Sequence, residues 1–465
     1  MIKFAIVFLL SGLTFASCKK DQTPAIINSL NKPPFANAGR DQMIFLPVDS
    51  ITLSGSLSSD PDGSVISYNW SQVTGPNQST ITSANARDAK ITGLTEGTFQ
   101  YRLRIQDNAG ATDDDTIQVI VVQPGSIPVV NTRLTRVGTL SVKRQGMAAA
   151  VAGTKILFGG GFTVDDRGEM TGFSSRVDIY DYTTNNWSTA ELSKARYEIA
   201  AAAAGNKVAF AGGVSVGDPT RIVDLYDISA NSWATAELSR GSVGMAAASL
   251  GNKMFFTGGG DANPWDYIGT SNVVDIYDAS LNKWSTATLS QARGAGIAAA
   301  SVGTQVLFAG GWNSDANSES DRVDIFDAAT SVWSTASLSR AQSVSVATTV
   351  GNLVIFAVSF GGAGNTWAYA DKYDAGNGNW SIVSLSQFNF LSSHPINFSG
   401  AATSGNLAVF FPSSPVISRL IIYNAAQGTW GISSEGLPFG WKAAIATVNN
   451  QIYVSDGEGV WKIEF

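Results

Sequence analysis

After its first twenty residues the chain sustains no apolar period of 3.6. Short apolar runs and strict alternations recur instead between breaks rich in Gly, Ser, Thr and Asn, the pattern of β-strands joined by turns. Tyr101, Leu103 and Ile105 alternate with polar residues, as on a strand with one buried face. Downstream the pattern becomes periodic. Val-Asp-Ile-Tyr-Asp, a few polar residues, Asn-x-Trp-Ser-Thr-Ala and then Leu-Ser occupy residues 177–193, 223–239, 274–290 and 323–339, and return more loosely at 371–386 and 420–433. The marker tryptophans, Trp187, Trp233, Trp284, Trp333, Trp380 and Trp430, are 46, 51, 49, 47 and 50 residues apart. Between these phrases lies an Ala-rich run, then an apolar run closing on Gly-Gly at Gly160-Gly161, Gly212-Gly213, Gly258-Gly259 and Gly310-Gly311. Each unit therefore predicts four strands: the Ala-rich run, the run into Gly-Gly, the Val-Asp-Ile-Tyr-Asp strand, and one that includes the Trp. A period near fifty built from strands implies a propeller or an array. Ala suits an innermost strand near an axis, and Gly-Gly permits positive φ or a close backbone approach.

The double Gly, the Tyr-Asp and the Trp after a short polar loop together resemble the kelch motif, over residues 131–465. That resemblance implies a seven-bladed β-propeller, or a six-bladed one if the sixth unit, with Phe410-Phe411-Pro412 for Gly-Gly and Tyr423-Asn424 for Tyr-Asp, does not form a blade. The chain ends with three strands and no fourth, while residues 132–141 resemble a fourth, so the last blade is expected to join both ends of this region.

Residues 33–123 form a separate module. Gly39-Arg-Asp-Gln42, Ser59-Asp-Pro-Asp-Gly63, Tyr68-Asn-Trp70, Gly97-Thr-Phe-Gln-Tyr-Arg-Leu103 and Asp107-Asn-Ala-Gly110 resemble a PKD domain. That implies a seven-strand immunoglobulin-like β-sandwich with Trp70 in its core. Residues 124–130, with Pro124-Gly125 and Pro128, read as a linker. The expected fold class is thus all-β throughout.

Residues 1–17 read as an export signal: Lys3, the apolar run 4–10, then Ala16-Ser17 before Cys18. Phe15-Ala16-Ser17-Cys18 resembles a bacterial lipobox, which implies a lipidated Cys18 and a tether over residues 18–32. Ser-Cys-Lys-Lys-Asp resembles the start of Bacteroidetes lipoproteins, and no Asp follows the Cys, so the resemblance implies the outer membrane, in either leaflet. Cys18 is the only Cys, so no intramolecular disulfide forms. A formal net charge of −7 argues against nucleic acid as a partner.

Catalytic constellations are sparse. The one His, His394, stands in Ser392-Ser393-His394-Pro395 without a nucleophile elbow. One His and one Cys also cannot build the copper site of galactose oxidase or a structural zinc site. Carboxylates in the long loops (Asp165, Asp166, Glu169, Asp261, Asp266, Asp315, Glu319) leave open a carbohydrate-active enzyme on a kelch scaffold, an anionic-sugar epimerase or mutarotase or a glycan lyase or hydrolase. The leading expectation is a lipid-anchored binding protein for a protein or glycan, with the PKD domain as spacer and the propeller presenting the ligand face. Its candidate residues are Arg144, Arg196 and Arg293, three after each Leu-Ser, and Arg240 and Arg340, one after it. Guanidinium groups would read carboxylate or phosphate, and Trp265, Trp312 and Trp367 would stack on sugar rings or side chains. Equally, the arginines would pair with the repeated Asp residues and lock the blades together. Those Asp residues otherwise fit a solvated strand face. No cofactor is implied except Ca²⁺ in the PKD domain, on Asp60, Asp62 and Asp107; the competing reading of Asp60-Pro61-Asp62-Gly63 is a turn with Asp capping the backbone and Gly at positive φ.

Overall fold

A computed structural model of the chain describes residues 31–39, 42–122, 127–165, 169–216, 218–260, 269–344, 346–362, 365–385, 388, 398–413, 419–437 and 444–465. The signal and lipobox with Cys18, and also Trp265 and His394, lie outside the described residues. Among those described, no helix is long and apolar enough to cross a membrane.

The N-terminal module is a two-sheet sandwich. Gln42–Phe45, Thr112–Val122, Gly97–Asp107 and Val65–Thr74 form one sheet in that order, and Ile51–Ser54, Asp88–Thr92 and Thr80–Thr82 the other. The alternation on Gly97–Asp107 does what its period requires. Phe99, Tyr101, Leu103 and Ile105 all point inward at 0 % exposure, and meet Trp70, Leu53, Ile91, Ile117 and Val119. The Tyr101 hydroxyl is not left dry, because Ser79 Oγ lies 2.7 Å from it.

Among the described residues of 127–465, seven sheets share one antiparallel plan, with three smaller sheets beside them, a β-propeller-like fold. In the first, Ala148–Ala152, Lys155–Gly159, Arg176–Asp181 and Asn186–Glu191 lie in chain order, and five more sheets repeat this. The innermost strands neighbour one another in succession, and the first, Ala148–Ala152, also lies against the last, Ala444–Val448. The seventh sheet takes Ala444–Val448, Gln451–Ser455 and Gly459–Glu464 from the end of the chain and its outer strand, Arg133–Thr139, from the start of this region. Val129–Val130 adds a short parallel fifth strand to the sixth sheet, against Ile432 and Ser433. The sixth unit, despite losing Gly-Gly and Tyr-Asp, folds as Phe398–Ser404, Leu407–Pro412, Arg419–Asn424 and Thr429–Gly436.

Aromatic contacts explain the repeated Trp. Trp187 stacks on Tyr180 (ring centroids 4.8 Å apart) and beside Phe158, and Trp233 packs the same way on Tyr226 and Phe210. Tyr180 donates its hydroxyl to Asn185, Tyr226 to Asn231 and Tyr277 to Asn282, and each Asn has positive φ in the turn before its Trp. The double Gly is a close-approach device. A Cβ on Gly160 would come within 2.7 Å of the Arg196 carbonyl in the next unit, and one on Gly161 within 2.5 Å of the Gln145 carbonyl.

Candidate functional site

Each unit is entered through Leu-Ser, and the structure shows what that phrase does. The Leu is buried, as at Leu140, Leu192, Leu238, Leu289 and Leu338. The backbone N–H of the following Ser donates to an Asp on the third strand of the next sheet: Ser141 to Asp178 (2.9 Å), Ser193 to Asp224 (2.9 Å), Ser239 to Asp275 (3.0 Å), Ser290 to Asp324 (2.7 Å) and Ser339 to Asp371 (3.1 Å). These aspartates are 2–7 % exposed. The expectation of a solvated strand face is therefore corrected: neighbouring sheets cover both faces, so a polar position in the alternation is still interior.

In three units a buried arginine completes this latch. Arg144 Nη1 donates to Asp178 Oδ2 at 2.7 Å while its Nε and Nη2 donate to the carbonyls of Gly160 and Phe158. Arg196 pairs with Asp224 and donates to the carbonyls of Gly212, Ile222 and Phe210. Arg293 pairs with Asp324 at 2.5 Å and donates to the carbonyls of Gly310, Arg322 and Phe308. All three are 0 % exposed. Burial pushes the Arg293 guanidinium down to about 10, against the pull of Asp324, which still leaves it charged at neutral pH. The ligand role expected of Arg144, Arg196 and Arg293 is corrected accordingly: no ligand reaches these guanidinium groups, and the alternative of blade-locking ion pairs describes them.

Two units depart from the rule. Where the latch arginine would stand, the third unit has Ser242, whose Oγ donates to the Gly258 carbonyl, and the fifth has Gln342, whose Nε2 donates to Asp371 at 3.1 Å. In both, an arginine has moved two positions back, to directly after Leu-Ser. Arg240 is half-buried; Nη1 donates to the Thr270 carbonyl at 3.2 Å, and Nη2, itself buried, has no hydrogen-bond partner among the described residues. Arg340 is exposed, with its guanidinium 5.3 Å from the centre of the Tyr369 ring. Burial pushes the Tyr369 hydroxyl up to about 12, so the ring under that cation stays neutral. Glu319, across from Trp312 in the hairpin formed by Trp312–Asn313 and Ser318–Glu319, acts on Tyr369 electrostatically. Trp312 is half-buried, and Trp367 pairs with Phe360 along the backbone. A cation, an acid and aromatic surface thus converge at the entrances of the fourth and fifth units.

Asp275, like Asp371, is a latch carboxylate without a guanidinium partner among the described residues. Burial raises it above the ordinary carboxylate value, opposed by hydrogen bonds from Ser239 and by Arg221 and Arg240. A raised folded-state value means the protonated carboxyl favours the fold: its contribution is full below the unfolded value and is lost as pH rises through the folded one. Asp275→Asn should therefore cost nothing in thermal stability at pH 7, and any gain should shrink on acidification. Asp224→Asn, which orphans the charge of Arg196, should cost about 3–5 kcal/mol at neutral pH. Scanning calorimetry of both variants at pH 7 and pH 4 reads the contrast, and equal losses would refute it.

The three aspartates named for calcium have hydrogen-bond partners within the chain. Among the described residues no three acidic, His or Cys side chains gather as a metal group. Asp107 Oδ1 instead accepts the N–H groups of Ala109 and Ala111, and its Oδ2 accepts from Asn31; these bonds hold it below the ordinary value, Asn31 contributing most. Asp62 accepts from the Lys32 N–H and Asp60 from the Asp62 N–H, so the segment is a capped turn. Gly63 is not at positive φ; it is small because a Cβ would meet Asn108 Oδ1 at 2.1 Å and Asp60 Oδ2 at 2.5 Å.

Residues 38–121 match the family model of the KIAA0319-like PKD domain. This segment is a PKD domain. The chain is 42 % identical over 100 residues to the dyslexia-associated protein KIAA0319-like protein of Mus musculus, and 33 % identical over 121 residues to the dyslexia-associated protein KIAA0319 of Homo sapiens. It is also 31 % identical over 91 residues to the low-density lipoprotein receptor-related protein 11 of Homo sapiens. These matches cover 22, 25 and 20 % of this chain but only 9, 11 and 18 % of those proteins. Among solved structures, the PKD domain from KIAA 1837 protein is 40 % identical, with 19 % of this chain and 87 % of that one covered and a TM-score of 0.19. YjhT is 16 % identical, with 63 % and 95 % covered and a TM-score of 0.40.

Proposed function

We propose that the chain is an exported, lipid-anchored binding protein of the outer membrane, facing outward, in which a PKD spacer carries a closed seven-bladed kelch propeller. The seven sheets of one plan, the mutual contact of the first and last innermost strands and the shared seventh sheet support closure. The ligand face is the end where units are entered, and the observation that carries it is the departure of two units from the latch. Arg340, released from the buried ion pair, stands over the Tyr369 ring near the Trp312–Glu319 hairpin, and Arg240, half-buried against the Thr270 carbonyl, lies at the entrance of the third unit. These cations and rings suit a ligand with carboxylate groups and ring faces, such as an acidic glycan or an acidic peptide loop.

The experiment is a binding screen of the full chain against acidic glycans, beside an Arg240→Gln/Arg340→Gln variant. Binding that falls by about tenfold or more in the variant, or roughly 1.4 kcal/mol, supports the reading. Binding that survives the double change, or silence across all acidic glycans and acidic peptides, overturns it. For the anchor, Cys18→Ala should move the protein from the membrane fraction to the soluble fraction, and retention would refute lipidation.

A further inference from the structure

The opposite end of the units, where the first strand turns into the second and the third into the fourth, repeats a different rule. The innermost turn is Gly153-Thr154, Gly205-Asn206, Gly251-Asn252, Gly303-Thr304 and Gly351-Asn352 in the first five units, with positive φ on the Gly alone. The third strand ends on Asp181, Asp227, Asp278, Asp327 and Asp374, whose carboxylates cap the next turn. Two of them also hold a lysine from the second strand, Lys207 to Asp227 and Lys253 to Asp278, both at 2.9 Å. This end is therefore a rim of carboxylates and lysines already engaged in turns and ion pairs.

At the seam between the sixth and seventh units that rule is abandoned. Asn424 stands where the Asp would be, opposite Leu407, as Leu353 is opposite Asp374 in the fifth unit; a lysine stands there only in the first three units. Its Oδ1 still caps the turn, accepting from the N–H groups of Ala426 and Gln427, so the amide nitrogen takes the place of the second carboxylate oxygen. The innermost turn of the seventh unit is Asn449-Asn450, with both residues at positive φ (49° and 59°), as a type I′ turn requires. Asn449 thus stands where the first six units have the glycine, so this turn carries two amides, that of Asn449 donating to the Tyr182 hydroxyl.

Together these changes line a groove of about 670 Å³, with Asn131, Asn406, Asn424, Asn449, Asn450 and Gln451 around it and Val130, Leu407 and Phe465 supplying apolar surface. Its one charged lining side chain, Glu464, is paired with Lys462 at 2.6 Å. Asn131, Asn406 and Asn450 are exposed, and their side chains make no hydrogen bond among the described residues. A groove of this volume is in the range of small-molecule sites. Amides carry donors and an acceptor without charge, which matches vicinal hydroxyls, each both donor and acceptor. With no cation in the lining, a phosphate or carboxylate has no counter-charge there.

We infer that this groove binds a neutral oligosaccharide, at the end of the propeller away from Arg240 and Arg340. The site stands independently of the arginine face and of its acidic ligand.

The test is calorimetric titration of the full chain with maltohexaose, cellohexaose, laminarihexaose and xylohexaose, repeated on Asn406→Asp/Asn450→Asp. Asp keeps the size of Asn and accepts the αL conformation of residue 450, so the turn survives while the donors are lost. At least one oligosaccharide should bind, and the double variant should weaken it about tenfold or more while Arg240→Gln/Arg340→Gln leaves it unchanged. If the Asp variant unfolds at a lower temperature than the parent chain, Asn131→Asp with Phe465→Ala, both at exposed positions, gives the same readout. Absence of binding by all four sugars, or binding that neither pair of changes weakens, overturns the inference.

Discussion

Deleting residues 132–141 should collapse the cooperative unfolding of the propeller. The outer strand of the seventh sheet disappears, and Gly459–Glu464 becomes an unpaired edge. Leu140 leaves one apolar cluster together with the partly buried Val137, and Leu134 leaves another. At about 1.5–3 kcal/mol for each fully buried side chain, these three alone account for roughly 4–6 kcal/mol when partial exposure is allowed for. The hydrogen bond from Ser141 to Asp178 is lost as well, which opens the entrance of the first unit. Differential scanning fluorimetry, with size-exclusion chromatography for the exposed edge, reads the effect. An unchanged transition and a monomeric deletion variant would show that the seventh sheet does not depend on this strand. A subtler probe of the same seam is Gly138→Ala, since a Cβ there would come within 2.5 Å of the Trp187 indole nitrogen.

The second large effect concerns the latches. Arg196→Met or Arg293→Met would leave Asp224 or Asp324 ionised, buried and without its cation, at a cost of about 3–5 kcal/mol. With an unfolding entropy of about 2.1 cal/mol/K per residue over roughly 330 residues, Tm should fall by roughly 4–7 °C. Arg240→Gln should leave Tm within about 1 °C, because among the described residues its guanidinium donates to backbone carbonyls and makes no hydrogen bond to a buried carboxylate. The double change Arg196→Met/Asp224→Leu should recover much of the loss, since removing both charges avoids an orphan. Equal Tm values for Arg196→Met and Arg240→Gln would contradict the division between latch and free arginines.

Much of this was legible in the chain. The Trp period, the alternation on the PKD strand and the missing fourth strand of the last unit each followed from a rule that acts within a few residues, and the structure places those strands accordingly. The latch was legible only as a choice between two roles for the arginines. What settles it is the Ser backbone N–H of one unit meeting an Asp over thirty residues later, and a backbone donor leaves no trace in residue identity. The aspartates misled for a related reason: alternation signals a solvated face only when one side of the sheet meets water, and neighbouring units cover both. Gly63 misled because a glycine required by crowding reads the same as one required by φ. The displaced arginines were visible as a shift from three residues after Leu-Ser to one, but its meaning depended on knowing what the third position does.

The route by which the chain enters the propeller also fixes how a pull would travel. Tension from the N-terminal side meets Val129–Val130 first, held in parallel by the sixth sheet and reinforced by Thr132 N–H to Ser434 and Leu134 N–H to Glu435. The bond of Leu134 already belongs to Arg133–Thr139, the strand that completes the seventh sheet, so the two sheets meet the load in immediate succession. The sixth unit, which lacks the Gly-Gly and Tyr-Asp of the repeat, is thus a strain relief: a load arriving from the N-terminal side is borne there before it can pry the seventh sheet open.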